Sequence, residues 1–233
     1  MKLLTPHLVV ATILVTSFYC TEDESSVGDL FRQARITSDE SLMLKAYVLA
    51  RHHFSQNPGD VNACIWKGKL ENSIHAFEFS EATFKECYRL KPDPEIKGLL
   101  SEVYIHQGKL DEAREALRSS SRSSIRFMYF ARQAMLEKVE GFFEKSHKSW
   151  DLALEAYDRI DPEPPAWALV EIADLYRLQG RRGDAIANYR KSLSLVNNYG
   201  PALQGLKSIQ PASREAQLEN KNNSFNQLVN TGS

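Results

Sequence analysis

The residue types that most often do chemistry in proteins are few here and lie far apart along the chain. The three cysteines, Cys20, Cys64 and Cys87, form no CxxC pair and no Cys/His cluster with the spacing of metal ligands. His52 and His53 are neighbours on a predicted helix, where their side chains point about 100° apart and cannot share a metal ion. The sequence also carries no nucleophile elbow, phosphate-binding glycine loop, HExxH motif or dinucleotide fingerprint. It therefore predicts a protein that is not an enzyme and that uses no metal or cofactor.

The composition favours a protein with a real core and no global attraction to nucleic acid. The chain has 233 residues, of which 42% are hydrophobic. Because 29 Lys and Arg face 30 Asp and Glu, no strong field draws it to nucleic acid or to an anionic membrane. One domain with tails is expected, and its partners have to be identified from local surfaces.

The N-terminus has the layout of an export signal. Lys2 precedes a mostly apolar stretch at 8–18, which is shorter than a membrane span and ends at an acidic, polar run. We therefore predict a signal peptide at 1–19 and an exported protein.

Cys20 is a candidate for lipid attachment. It stands where a bacterial lipoprotein signal places its modified cysteine, with Ser17 three residues before it, although bulky Tyr19 departs from the usual small residue. The alternatives are ordinary cleavage nearby, or an uncleaved anchor or buried core segment. The lipid-anchored interpretation predicts a periplasmic or membrane-anchored protein with a polar tether at 20–26.

A helix-turn-helix pattern recurs with a period near 34 residues. The clearest copy spans 166–196, with small Ala173 and Ala185 where its two helices cross and Gly180 in the turn between them. A second good copy spans 93–124, and its turn carries Gly108 in the phrase Tyr-Ile-His-Gln-Gly-Lys-Leu-Asp-Glu-Ala. Both copies predict a pair of closely packed antiparallel helices.

Other segments show the pattern less clearly. The copy at 61–92 keeps Gly68, Ser80 and Phe84 at the expected places but lacks a glycine in its turn. The remaining predictions are a further repeat beginning with a helix at 27–35, an extended repeat with an extra helical turn at 125–161, a capping helix at 201–209 and a flexible polar tail at 211–233. The repeat domain is thus predicted to span 27–210.

The two good copies resemble the tetratricopeptide repeat family in their small, aromatic and glycine positions. The resemblance implies an all-α fold, a right-handed α-solenoid of about four to five helix-turn-helix repeats that makes about half a turn. In this family the first helix of each repeat lines a concave inner face. A protein or peptide partner is therefore expected there.

Carrying the family's groove positions over to three repeats gives a set of candidate binding residues. The resemblance implies that these side chains are exposed, so that replacing Trp167, Asp174 and Arg177 by alanine should weaken binding and leave stability near wild type. The candidates are Glu95, Glu102, Ile105, His106, Met128, Ala131, Met135, Lys138, Trp167, Val170, Asp174 and Arg177.

In the family, the positions of Cys64 and Cys87 pack near each other within one repeat. An oxidising compartment would allow a disulfide, but small buried free cysteines are common in cores. Free thiols are the favoured prediction.

Four arginines recur every fourth residue, at Arg114, Arg118, Arg122 and Arg126. On one continuous helix they would form a basic stripe, but the serines at 119–124 are expected to interrupt it. Solvated charge is the favoured interpretation, and docking of an acidic segment or a lipid headgroup is the alternative.

Two functions are consistent with these features. The first is an interaction scaffold or adapter in the cell envelope or secretory compartment, which binds a peptide segment or a partner helix. The alternative is an accessory or regulatory subunit permanently bound to an enzyme or assembly machine of the envelope. A hydrolase on a helical scaffold has almost no support from the residues.

Overall fold

The computed structural model describes residues 24–209, and all regular structure in this range is helical. The predicted signal at 1–19, Cys20 and the tail at 211–233 lie outside the described residues. The helices are α1 (Glu24–Thr37), α2 (Glu40–Gln56), α3 (Val61–Ser73), α4 (Phe77–Leu90), α5 (Pro94–His106), α6 (Leu110–Ser119), α7 (Arg126–Val139), α8 (Phe143–Glu155), α9 (Glu163–Leu178), α10 (Arg182–Leu195) and α11 (Gly200–Ile209). α1 begins inside the predicted tether at 20–26.

Five sharp turns divide the first ten helices into pairs. In each turn one residue has a positive φ between 55° and 81°, and the backbone N–H of the next residue bonds to the carbonyl five positions earlier. This geometry reverses the chain within two or three residues. The positive-φ residues are Ser38, His75, Gly108, Gly141 and Gly180. The all-α solenoid of four to five repeats is therefore confirmed, with five repeats and α11 as the predicted capping helix.

Aspartates fix where several helices begin. Asp39, Asp60 and Asp93 stand at the N-caps of α2, α3 and α5, and each accepts a hydrogen bond from a backbone N–H of the first turn. Pro94 follows at the first position of α5, where its missing N–H costs nothing.

Small residues let the two helices of each pair approach closely. Ala173 and Ala185 have no exposed surface, and the Ser80 hydroxyl donates to the Gly68 carbonyl at 2.8 Å across the crossing of α3 and α4. A Cβ on Gly68 would lie 2.6 Å from the Phe84 ring. The repeat register predicted for 61–92 is thus confirmed even though its turn uses His75 where the other copies use glycine.

The prediction of an extra helical turn at 125–161 is wrong. α7 and α8 have 14 and 13 residues, as in the other repeats, and the additional residues form a loop at 156–162. Pro162 is the N-cap of α9 and Pro164 lies in its first turn; proline is tolerated there but not in a helix interior, so α9 cannot begin earlier and the residues before it remain a loop.

The two ends of the solenoid meet. Gly200, at the start of α11, lies against the end of α1, so that a Cβ there would be 2.9 Å from the Thr37 backbone. Ile36 packs on the apolar cluster formed by α9, α10 and α11. An arc of half a turn, as expected from the resemblance, would leave these ends apart.

Ion pairs hold the same contact. Arg32 donates two hydrogen bonds to the Asp161 carboxylate, at 3.2 and 2.7 Å, and Arg35 pairs with Glu163 at 3.0 Å. We call this contact of α1 with the 156–162 loop, α9 and α11 the seam. The seam closes the described part of the solenoid into a ring.

A candidate binding lumen inside the ring

The closed ring encloses a lumen built from two adjoining cavities of about 560 and 850 Å³. Side chains of α1, α3, α5, α7 and α9 contribute to its wall, and α11 contributes to the larger cavity. The cavities are continuous, since they share six lining residues: Phe31, Arg35, Asn72, Ser73, Glu102 and Met128. The lumen is therefore the concave face that the resemblance predicted, surrounded by the ring of repeats and still partly open to solvent.

A buried guanidinium joins two carboxylates in the lumen wall. Arg132 of α7 is 1% exposed and bonds to Glu95 at 2.7 Å and to Glu102 at 3.5 Å, both on α5. Burial by itself lowers the pKa of a guanidinium, but the two carboxylates outweigh it and the pKa of Arg132 is raised. Gly98 makes room for this group, because a Cβ there would lie 2.3 Å from Arg132 Nη1, which has no acceptor among the described residues.

Glu102 also begins a chain of hydrogen bonds toward the larger cavity. The Asn72 amide donates to Glu102 at 3.2 Å, and its oxygen lies 3.0 Å from His106 Nδ1, which suits a tautomer with the proton on Nδ1. The His106 ring packs against Phe77 at 5.3 Å. The polar row of Glu102, Asn72 and His106 is therefore held at one end by Arg132 and at the other by the Phe77 ring.

Lys69 of α3 lines the smaller cavity and forms no ion pair with a described carboxylate. Its Nζ lies 5.1 Å from the centre of the Trp66 ring. Desolvation in the cavity lowers the pKa of Lys69 and the nearby charge of Arg132 lowers it further, while the carboxylates of Glu95 and Glu102 partly oppose this shift.

The α9 side of the lumen is occupied by aromatic packing. Trp167 meets the Trp150 ring at 5.3 Å and the Phe127 ring at 6.3 Å, while the Arg35 guanidinium lies 5.4 Å from its ring centre. Tyr199 donates to Glu163 at 3.0 Å, and burial together with this carboxylate raises the pKa of Tyr199.

The structure brings six of the predicted groove residues together in the lumen wall: Glu95, Glu102, His106, Met128, Met135 and Trp167. Three others lie outside it. Lys138 pairs with Glu171 at 2.6 Å, and Asp174 accepts hydrogen bonds from Tyr189 at 2.7 Å and from Arg177 at 3.1 Å.

The remaining two predicted groove residues are in the core, so their placement on the groove surface is wrong. Ile105 is 4% exposed and packs with residues of α6 and α7, and Val170 is 6% exposed and packs with α10 and α11. Ala131, carried over with them, has no exposed surface. Each first helix is covered by its own partner helix and by the next repeat, so little of its circumference reaches the lumen.

The expectation that Trp167 and Asp174 are dispensable for stability is corrected by the same contacts. Trp167 packs on two buried rings, and Asp174 is the acceptor for the phenol of Tyr189, which has no exposed surface. Their replacement would disturb the core as well as the lumen.

Lys69, Asn72, Arg132 and Arg35 were missed as lumen residues. Lys69 and Asn72 occupy α3, in the degenerate repeat to which the groove positions were not carried over; doing so would have found both. Arg132 lies in a mostly apolar helix, and Arg35 reaches the lumen only because the seam closes. No sequence pattern near either residue therefore predicts its place in the lumen.

The predicted interruption of the arginine series is confirmed, since α6 ends at Ser119. Arg114 pairs with Glu140 at 2.6 Å and Arg118 with Glu115 at 2.5 Å. Both pairs are largely exposed on the arginine side, which agrees with solvated charge.

The prediction of free thiols is wrong. Cys64 and Cys87 form a disulfide, with sulfur atoms 2.15 Å apart and Cα atoms 5.7 Å apart. The reason is their register: α3 and α4 run antiparallel, and both cysteines face the shared core with no exposed surface.

Residues 24–209 present neither a metal cluster nor a membrane span. No group of three or more His, Cys, Asp or Glu side chains in this range is arranged to hold a metal ion. Within the same residues, no helix combines the length and the apolar character needed to cross a bilayer.

Comparisons with known proteins agree on the repeat type. Residues 168–199, in the fifth repeat, match the sequence model of the tetratricopeptide repeat. No curated protein sequence matched the chain significantly. A thermophilic tetratricopeptide repeat protein of Thermus thermophilus superposes with a TM-score of 0.62 at 19% identity, covering 78% of this chain and 98% of that one.

A second solved structure, the APC/C hetero-tetramer Cut9-Hcn1, gives a TM-score of 0.61 at 14% identity over 88% of this chain. This chain spans about half of that one, 49%. At these identities the likeness concerns the fold alone. The match in α9 and α10 shows that this segment is similar to a tetratricopeptide repeat, and the solved structures show that residues 24–209 share the solenoid fold of such repeats.

Proposed function

We propose that the protein is an interaction scaffold that holds a peptide segment or a partner helix in the lumen of its ring. The observation that carries this proposal is the lumen itself, since the first helix of every repeat contributes side chains to one continuous cavity. Its wall mixes apolar groups such as Met128 and Phe31 with the fixed polar row of Glu102, Asn72 and His106. Such a wall suits a segment with both apolar and polar side chains.

We further propose that this scaffold works in the cell envelope or secretory compartment. The export signal predicted at 1–19 supports this location. So does the bridge between Cys64 and Cys87, because disulfides persist in oxidising compartments and are rare in the cytosol. Cys20 is the proposed lipid attachment point.

The alternative is a subunit permanently bound to an envelope enzyme or assembly machine. The seam favours it in one respect, because an occupant of a closed ring is surrounded by protein and would leave slowly. The two functions differ in their partners: a permanent subunit has one constant, stoichiometric partner, whereas an adapter has several.

Site-specific photo-crosslinking tests the proposal. A benzophenone amino acid replaces Met128 in the lumen or, as a matched control, exposed Arg190 on α10. The proposal expects crosslinks to partner proteins from Met128 that are absent from Arg190, with variable partners for an adapter and one constant partner for a subunit. Equal labelling from both positions would show that the lumen is not the binding surface.

The anchor is tested separately. If Cys20 is lipidated, Cys20→Ser should release the protein from membranes, and the intact mass of the mature wild-type chain should include the acyl groups. A mature chain without acyl mass would refute the anchor and leave the scaffold proposal standing.

A further inference from the structure

The larger cavity of the lumen gathers every methionine of the described residues. The chain has four methionines, which apart from Met1 are Met43, Met128 and Met135. All three line the larger cavity, one from α2 and two from α7. Methionine side chains are flexible and polarisable, so they adapt to apolar groups of different shapes. Their clustering in one wall indicates a surface that receives apolar side chains.

Other apolar side chains extend this surface. Phe31, Leu44, Ile74 and Trp167 line the same cavity, and none of them is fully buried. Leu44 alone keeps 55% of its surface exposed. We call these four residues and the three methionines the apolar wall. A bulky apolar side chain that enters the cavity removes part of this wall from water, which favours binding in proportion to the apolar area covered.

Most polar groups that line the larger cavity already have partners. Glu171 pairs with Lys138 at 2.6 Å, and Arg35 pairs with Glu163 at 3.0 Å. The polar row is bonded internally and to Arg132. A polar side chain of an occupant would have to compete with these pairs. The favourable free energy of binding therefore has to come mainly from the apolar wall.

Two carboxylates at the rim of the larger cavity are the exception. Asp39 and Glu40, at the start of α2, are exposed to solvent, and neither forms an ion pair with a described residue. Among the described residues, Arg35 is the one lysine or arginine that lines this cavity, and Glu163 already holds it. The unmatched charge at the rim is therefore negative and is complementary to a lysine or arginine.

We propose that the larger cavity binds a partner segment through one bulky apolar side chain, leucine, phenylalanine or methionine, with a lysine or arginine beside it. This inference rests on the proposed function and names the chemistry of the segment. The apolar side chain contacts the methionines, and the cation lies at the rim near Asp39 and Glu40. Because methionines adapt to different shapes, several apolar residues can serve as the anchor, which suits an adapter with variable partners.

The test uses the full mature chain with isotope-labelled methionine methyl groups. The probes are synthetic nonapeptides of glycine and serine with blocked ends. Their central residue is leucine, phenylalanine or serine, and the residue beside it is lysine, glutamine or glutamate. NMR of the methionine methyl groups shows where each peptide binds, and titration to millimolar peptide gives the affinities.

We expect the leucine and phenylalanine peptides to shift the methyl signals of Met43, Met128 and Met135. They should bind about 10- to 100-fold more tightly than the serine peptide, as burial of one large apolar side chain allows. Lysine beside the anchor should add about two- to fivefold in affinity over glutamine, because exposed ion pairs are weak. This second gain should disappear at high salt.

Matched variants separate the two contacts. Met43→Gln should reduce the preference for leucine and Met43→Leu should retain it, whereas Leu152→Gln, on α8 and outside the lumen, should have no effect. Glu40→Gln should reduce the preference for lysine. Glu144→Gln should not, because Glu144 occupies the first turn of α8 as Glu40 does in α2, but outside the lumen. Circular dichroism of each variant establishes that a lost preference is not lost folding.

Three results with the peptides would overturn the inference. They are equal affinity of the leucine and serine peptides, absence of methionine shifts with any peptide, and preference for glutamate beside the anchor. Shifts produced by dodecanoate but by no peptide would overturn it in favour of a lipid chain, and shifts produced by protein concentration alone in favour of a second copy. Crosslinking from Met128 is a separate readout, so the scaffold proposal can survive the loss of the apolar anchor.

Discussion

The closure of the ring can be tested at one glycine. Gly200→Ala introduces a methyl group that would lie 2.6 Å from the Ser38 hydroxyl oxygen and 2.9 Å from two backbone atoms of Thr37. A hydroxyl can rotate away, but the backbone at the end of α1 cannot move without shifting the helix. Overpacking of this kind costs about 1 to 3 kcal/mol. The gain in helix propensity is small, because Gly200 is the first residue of α11.

The destabilisation by Gly200→Ala has an upper limit. If it exceeds the free energy of the seam contacts, α1 and α11 separate, and the loss is limited to the ion pairs at Asp161 and Glu163 and the packing of Ile36. We therefore expect the free energy of unfolding to fall by about 1 to 3 kcal/mol, together with a larger radius of gyration if the seam opens.

Urea denaturation followed by circular dichroism measures the first quantity, and small-angle X-ray scattering measures the second. Gly183→Ala is the matched control, since a Cβ there meets nothing within 4 Å, and it should be neutral or slightly stabilising. Wild-type stability and unchanged scattering for Gly200→Ala would refute the closed ring.

Three further predictions concern single residues. Burial alone would raise the pKa of Glu81, but hydrogen bonds from Lys109 and Lys85 outweigh it and lower the pKa to about 2 from its ordinary 4.5. The stabilisation is thus present above pH 4.5 and lost as the pH falls toward 2, so the difference between Glu81→Gln and wild type in urea should shrink over that window; a constant difference would contradict it. Gly108→Ala should cost about 1 kcal/mol because its φ is +71° with open space around it, whereas Gly59→Ala should leave the urea midpoint unchanged. Trp167→Ala should lower the free energy of unfolding by about 2 to 4 kcal/mol, measured by thermal melting. An unchanged melting temperature would mean that Trp167 is an exposed groove residue and not part of the core.

The helix pairs were predictable because their determinants are local. Gly108 and Gly180 indicate turns with a positive φ, and Ala173 and Ala185 indicate a close crossing of two helices. Each of these features lies within a single repeat. The same rule identified the weak copy at 61–92 through Gly68, although its turn forces His75 into a conformation that glycine adopts at lower cost.

The lumen residues were predictable only in part, because the position of a residue along a helix does not determine how much of that helix the neighbouring helices cover. Trp167 and Val170 are both groove positions in the family, yet Trp167 reaches the lumen while Val170 is buried. The difference depends on how closely α10 and α11 pack on α9, which is a property of the assembled repeats.

By itself, then, the sequence determined the all-α class, the repeat boundaries, the turns and the absence of recognisable catalytic motifs, since each depends on residues within one repeat of about 34 residues. Only the tertiary structure decided the seam, the disulfide and the buried ion cluster. Arg35 meets Glu163 across 128 positions of the sequence, and Arg132 meets Glu95 across 37. The accumulated curvature of five repeats brings the first pair together, and no residue type in either segment encodes that angle.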